Sequence, residues 1–180
     1  MSAAALPQRL RRWADHIDRL SRGVGHAVAW LTLAMVLVTF AIVVLRYGFG
    51  LGWIAMQESV VYMHAMAFML GAAYTLQADE HVRVDIFYRS WPPRARAWVD
   101  LLGTVVFLWP LCAAIAWFSW GYVATSWVMH EGSREAGGLP WVYLLKTLIP
   151  ALAITLAVQG AATVLRSLAI LVGTGEEVRA

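Results

Sequence analysis

The chain has 180 residues, 61% hydrophobic and only 14% charged, with a formal net charge of +3. A soluble domain of this size carries about a quarter charged residues, so the composition excludes an ordinary water-soluble globule. A single cysteine, Cys112, excludes an internal disulfide and a thiolate metal cluster. The basic surplus lies beside apolar runs, where membrane topology accounts for it without nucleic acid.

Residues 1–22 open the chain. Leu6, Leu10, Trp13, Ile17 and Leu20 recur at steps of three and four, which places them on one helical face. Arg9, Arg11, Arg12, Asp15, Asp18, Arg19 and Arg22 fill the rest of the circumference, and Pro7 suits a first turn. The pattern predicts an amphipathic helix on the membrane surface. A solvated helix packed on a partner satisfies it as well.

No Asp, Glu, Lys or Arg occurs in 23–45, 59–78, 101–130 or 147–165. About 20 apolar residues cross the hydrocarbon core as a helix, and lipid demands that backbone groups be satisfied within the segment. Spans are therefore expected at about 24–45, 54–77, 97–129 and 139–170, forming one membrane domain over 23–172 with a polar tail at 173–180. The fold class is all-α: four long, tilted transmembrane helices plus an N-terminal amphipathic interfacial helix. The first apolar run is too long for a signal-peptide core and no small-residue cleavage site follows it, so it is expected to be retained. The third span is too long to cross upright: about 45 Å of uncharged helix meets a core of ~30 Å. It must tilt, kink or project, and Pro110 marks a place for a kink.

Eleven of the fourteen Lys and Arg residues lie in the N-terminal segment, the second loop and the C-terminal side; Arg46, Arg134 and Lys146 lie opposite. The positive-inside rule then puts both termini and the second loop in the cytoplasm.

Few residues inside the spans carry chemistry. Glu58 lies about one turn into the second span, preceded by Gln57; His64 lies near its middle and Gln159 in the fourth. A carboxylate at that depth wants a partner or a proton. Three readings stay open for Glu58: a hairpin-fixing ion pair with Arg46, snorkelling to water, and proton or ion handling. A haem needs two histidines at one depth, and neither His26 nor His130 matches His64. Asp79, Glu80, His81 and Asp85 crowd the cytoplasmic loop, but Arg83 among them argues against a divalent metal and for a docking segment. No hydrolase or metalloprotease motif and no internal repeat is present. The residues point to a non-enzymatic membrane protein that supports another one. A haem- or quinone-linked anchor of an electron-transfer complex and a stand-alone small channel or exporter are the competing classes.

The ordered motifs go further. Arg46-Tyr47-x-Phe49 closes the first span, and Trp53 with Gln57-Glu58 opens the second. Phe68 and Gly71-Ala72-Ala73 follow, then His81-Val82-Arg83-Val84-Asp85. The second half carries Gly132-Ser133, Gly138-Leu139-Pro140, Leu144-Leu145-Lys146, Ile149-Pro150 and Gln159-Gly160. Over about residues 20–170 the chain resembles the small membrane subunit of tripartite ATP-independent periplasmic (TRAP) transporters, the DctQ family. It departs from the family pattern at Gln77, where many relatives have Arg, and at Asp79-Glu80, which replaces a more usual glycine-containing pair. The resemblance implies a subunit that pairs with a large multi-span membrane subunit and anchors its static scaffold. A periplasmic substrate-binding protein would deliver an organic acid, and a sodium gradient would drive its uptake. It implies no cofactor on this subunit, with sodium coupling in the large one. Arg46, Trp53, Glu58, His81, Arg83, Asp85 and Lys146 become the structural or subunit-interaction candidates. The outer loops, 46–53 and 130–138, are expected to face the binding protein.

Overall fold

The computed structural model describes residues 5–81, 86 and 88–173. Its elements are α1 (Ala5–Phe49), α2 (Ile54–Gln77), a 3-10 turn (Tyr88–Ser90), α3 (Pro93–Gly103), a π-helical turn (Thr104–Leu108), α4 (Trp109–Val128) and α5 (Val142–Val172). The π turn joins α3 to α4 without a break, so Pro93–Val128 is one helical run. With α1, α2 and α5 it makes four helices long and apolar enough to cross a membrane.

The N-terminal amphipathic segment is not a separate helix. α1 runs unbroken for 45 residues, about 67 Å at ~1.5 Å per residue. Pro7, Ala14, Asp18, Ser21, Gly25 and Val28 are buried at helical spacing along one face. This face continues past Gly23 and Gly25 because α2 and α5 press against it. The apolar stripe read from the sequence lies beside that face, not on it. Leu6, Trp13 and Leu20 point outward, while Leu10 and Ile17 are half-buried.

The third span begins earlier than expected, at Pro93. Pro92 is extended and Pro93 takes the first helical position, where a missing N–H costs no bond. The irregularity anticipated at Pro110 falls one turn before it. The Trp109 N–H donates to the Thr104 carbonyl, five residues back, which widens the helix where Pro110 supplies no donor and its ring crowds the preceding turn. α5 packs directly on this widened turn. A Cβ at Gly160 would lie 2.9 Å from Leu108 Cδ2 and 3.0 Å from Thr104 Cγ2, so only glycine admits the approach. The Trp109 indole N–H then donates to the Ala157 carbonyl at 3.1 Å. α5 itself starts at Val142, three residues later than expected, because residues 139–141 are held in a loop described below.

α5 is the hub, packing against α1, α2, α3 and α4. The buried apolar residues are mostly small: Ala73, Ala97, Cys112, Ala153, Ala162 and Ala169. Large side chains such as Trp30, Phe40, Phe107, Trp117 and Phe118 face outward. Small residues inside and large ones outside is the arrangement expected when lipid, which is as apolar as leucine, surrounds the helices and close packing must hold them together.

Candidate functional site

The polar side chains of the helices gather into two clusters, one at each end of the bundle. At the end where α2 begins, the connection 129–141 folds over the first turns of α2 and α5. Its backbone turns at His130 (φ 46°) and Gly137 (φ 80°), and the Ser133 N–H donates to the Leu139 carbonyl at 2.9 Å. This loop presents two donors to Glu58. The Ser133 hydroxyl donates to Oε1 and the Leu139 N–H donates to Oε2 at 2.6 Å. Gly138 permits the closure, because a Cβ there would lie 2.4 Å from Ser133 Oγ and 2.9 Å from Glu58 Oε1. Both oxygens of Glu58 are thus used to tie the second connection to α2.

A second tie lies alongside. Lys146, in the first turns of α5, donates to Glu131 Oε2 at 2.5 Å and sits 3.9 Å above the Tyr122 ring. The Tyr143 ring meets Trp127 edge-on at 4.8 Å and His130 at 5.9 Å. The Trp127 indole N–H donates to the Thr147 hydroxyl at 2.8 Å. Glu131 lies outside the spans, and the Lys146 ammonium holds its carboxyl below the ordinary value of 4.5.

At the opposite end, Gln159 of α5 is completely buried. Its carbonyl accepts from the Ser21 hydroxyl at 2.6 Å, and its amide donates to Asp18 Oδ1 at 2.9 Å. The Arg166 guanidinium donates to Asp18 Oδ2. Asp18, itself buried, therefore receives one neutral and one charged donor. The arrangement compensates a buried carboxylate that would otherwise be costly. Sequence reasoning placed Asp18 among the solvated charges and Gln159 alone in its span. A signal did exist: a glutamine inside an apolar helix needs a partner, and Asp18 and Ser21 share a helical face.

The remaining candidates fall apart from one another. Arg46 is exposed in the last turn of α1, and the ion pair with Glu58 does not form because the 129–141 loop occupies the carboxylate. Trp53 is extended and exposed immediately before α2. His81 is exposed at the edge of a groove between α1 and α2. Arg83 and Asp85 lie outside the described residues. The histidines near the bundle pack on separate aromatics: His26 on Tyr74, His64 on Phe68 and His130 on Tyr143. Among the described residues, no three of His, Cys, Asp and Glu come together. Chemically, the two clusters hold helices together.

The family described as tripartite ATP-independent periplasmic transporters, DctQ component, matches residues 35–170. A C4-dicarboxylate TRAP transporter small permease protein DctQ from Vibrio cholerae serotype O1 (strain ATCC 39315 / El Tor Inaba N16961) is 30% identical over 85 residues, 47% of this chain. The matched stretch covers 37% of that relative's length. No solved structure matches the chain.

Two outcomes follow from the clusters. Replacing Asp18 by Leu leaves Gln159 and Arg166 with unmet donors and is expected to cost about 1–3 kcal/mol. Thermal unfolding in detergent reads the loss, and a Gln159→Leu background should shrink it, since the two residues share one network. For the outer loop, a carboxyl lowered in the folded state contributes stability above its ordinary value. That contribution is lost as pH falls through the lowered folded value. Protease cleavage within 129–141 should therefore stay slow at neutral pH and accelerate in acid below 4.5. Glu131→Gln should raise cleavage at neutral pH and flatten the acid response.

Proposed function

Since the chain belongs to the DctQ component family of tripartite ATP-independent periplasmic transporters, whose members are transporter components and not enzymes, we propose that it works as a static scaffold. In this reading it pairs with a large multi-span membrane subunit and holds that subunit's fixed part in the bilayer while the transporting part moves. A periplasmic binding protein supplies the substrate, an organic acid, and sodium drives uptake through the large subunit. The relative from Vibrio cholerae is named for C4-dicarboxylates, which supports the acid class.

The observation that carries the scaffold role is how the helices use their polar groups. Secondary transporters gather substrate and ions at broken helices near the bilayer midplane. Here Glu58, Asp18, Gln159 and Arg166 are engaged in bonds within the chain, and they lock helices instead of facing a path. The separate packing of His26, His64 and His130 gives no support to a haem-linked anchor.

Affinity purification of the tagged chain from its native membrane in mild detergent tests the reading. A large multi-span subunit should be recovered in equal amount; a stable lone chain would sink it. We also propose that both termini and the 78–92 connection face the cytoplasm, with 129–141 outside, supported by the distribution of Lys and Arg. Alkaline phosphatase inserted after Gly137 should then be active, and the same enzyme fused at Ala180 inactive. The reverse pattern would overturn the orientation.

A further inference from the structure

The outward stripe of α2 carries a demand that lipid does not meet. Trp53 leads into it, and Gln57, Val61, His64 and Phe68 follow at helical spacing, all exposed. His64 lies about 15 Å along α2 from Ile54, which is the middle of a core ~30 Å thick. Its ring stacks on Phe68 at 6.4 Å, a contact that leaves the ring nitrogens without a hydrogen-bond partner among the described residues. The Gln57 amide is likewise without one. Ionisable and amide side chains at membrane depth face protein or water and find partners there.

The other outward faces differ in kind. Away from the groove, α1 presents Trp30, Leu33 and Leu37; the α4 run presents Phe107, Leu111, Trp117, Phe118 and Trp120. Where these faces carry exposed threonines, Thr39 bonds the Met35 carbonyl at 2.7 Å and Thr125 the Gly121 carbonyl at 2.8 Å. These faces carry the indole N–H groups of Trp30, Trp117 and Trp120, but no His, Asp, Glu, Lys or Arg occurs in 27–45 or 101–128.

Toward the other end of the helix, the α2 stripe runs into a groove of about 570 Å³ between α1 and α2, lined by Ala29, Thr32, Ala67, Gly71 and Ala72 among others. Residues this small let a second backbone come close. One continuous face therefore offers the Gln57 side-chain amide about one turn in, the His64 imidazole at mid-depth, and room for close approach below it.

We propose that this α1/α2 face, centred on His64, seats a transmembrane helix of the large subunit, which presents a hydrogen-bonding side chain opposite the imidazole. The proposal rests on the scaffold reading above and adds where the large subunit sits. The α4 face and the outer side of α1 are left to lipid.

The test uses the full chain co-expressed with the large subunit, carrying a photo-crosslinking benzophenone amino acid at single positions. Crosslinks to the large subunit are expected from positions 61 and 68, and none from 37 or 118. Crosslinks from 37 or 118 with none from 61 and 68, or crosslinks from 61 and 68 to a second copy of this chain, would overturn the proposal while leaving the scaffold reading standing. Failure of the unmodified chain to bring down any large subunit would overturn both. In parallel, His64→Leu should reduce the recovered large subunit several-fold, and His64→Asn, which keeps a donor and an acceptor, should restore most of it. His64 is exposed on the lone chain, and thermal unfolding of each variant in detergent checks that the fold is kept. Undiminished recovery with His64→Leu would remove the imidazole from the interface.

Discussion

In hydrocarbon a polar side chain has no solvent to fall back on, and Gln159 shows how that constraint organises this protein. It is fully buried on the hub helix, so its carbonyl and its amide each require a partner supplied by the fold. Ser21 and Asp18 provide them, and Arg166 then neutralises Asp18. Hydrogen bonds to charged groups of this kind contribute about 1.5–3 kcal/mol each, and leaving one member unpaired costs as much again. The network therefore dictates which face of α1 turns toward α5. It also accounts for α1 continuing as a helix past its apolar stretch instead of bending onto the membrane surface at residue 22.

For that network to form, the helices must come close, and the hub is built for it. Ala153, Gly160, Ala162 and Ala169 give α5 narrow sides. The widened turn at Thr104–Leu108 brings Trp109 into bonding range of Ala157. Packing density is the main cohesive force where there is no hydrophobic gain between helices, so small residues and polar bonds work together here. The same logic sends the large aromatic side chains outward.

The second cluster fixes the opposite end. Glu58 ties the 129–141 loop to α2, and the Glu131–Lys146 pair ties it to the start of α5. The first half of the chain is thus joined to the second at both ends of the bundle, by Asp18 with Arg166 at one and Glu58 with Ser133 at the other. Clamps at both ends are what the proposed scaffold role asks of this chain. The outward stripe of α2, with His64 and the Gln57 side chain exposed, takes no part in either clamp.

The four spans, their all-helical class and their family were legible in the residues. The thickness of the bilayer sets a length that an uncharged run either reaches or does not, and motif order survives in one dimension. Where a helix begins and ends depends on its contacts. Residues 139–141 look helical by composition, yet Leu139 gives its N–H to Glu58. The partner of Glu58 was legible only as a need. Arg46 was the nearest cation in sequence, but the donors come from 75 and 81 residues away. Asp18 and Gln159 are separated by 141 positions, and no local pattern links them. Hydrophobic length is a property of each segment by itself and can be read from the chain. The pairing of polar groups depends on which helix faces lie side by side, and only the packing of α1, α2 and α4 around α5 decided that.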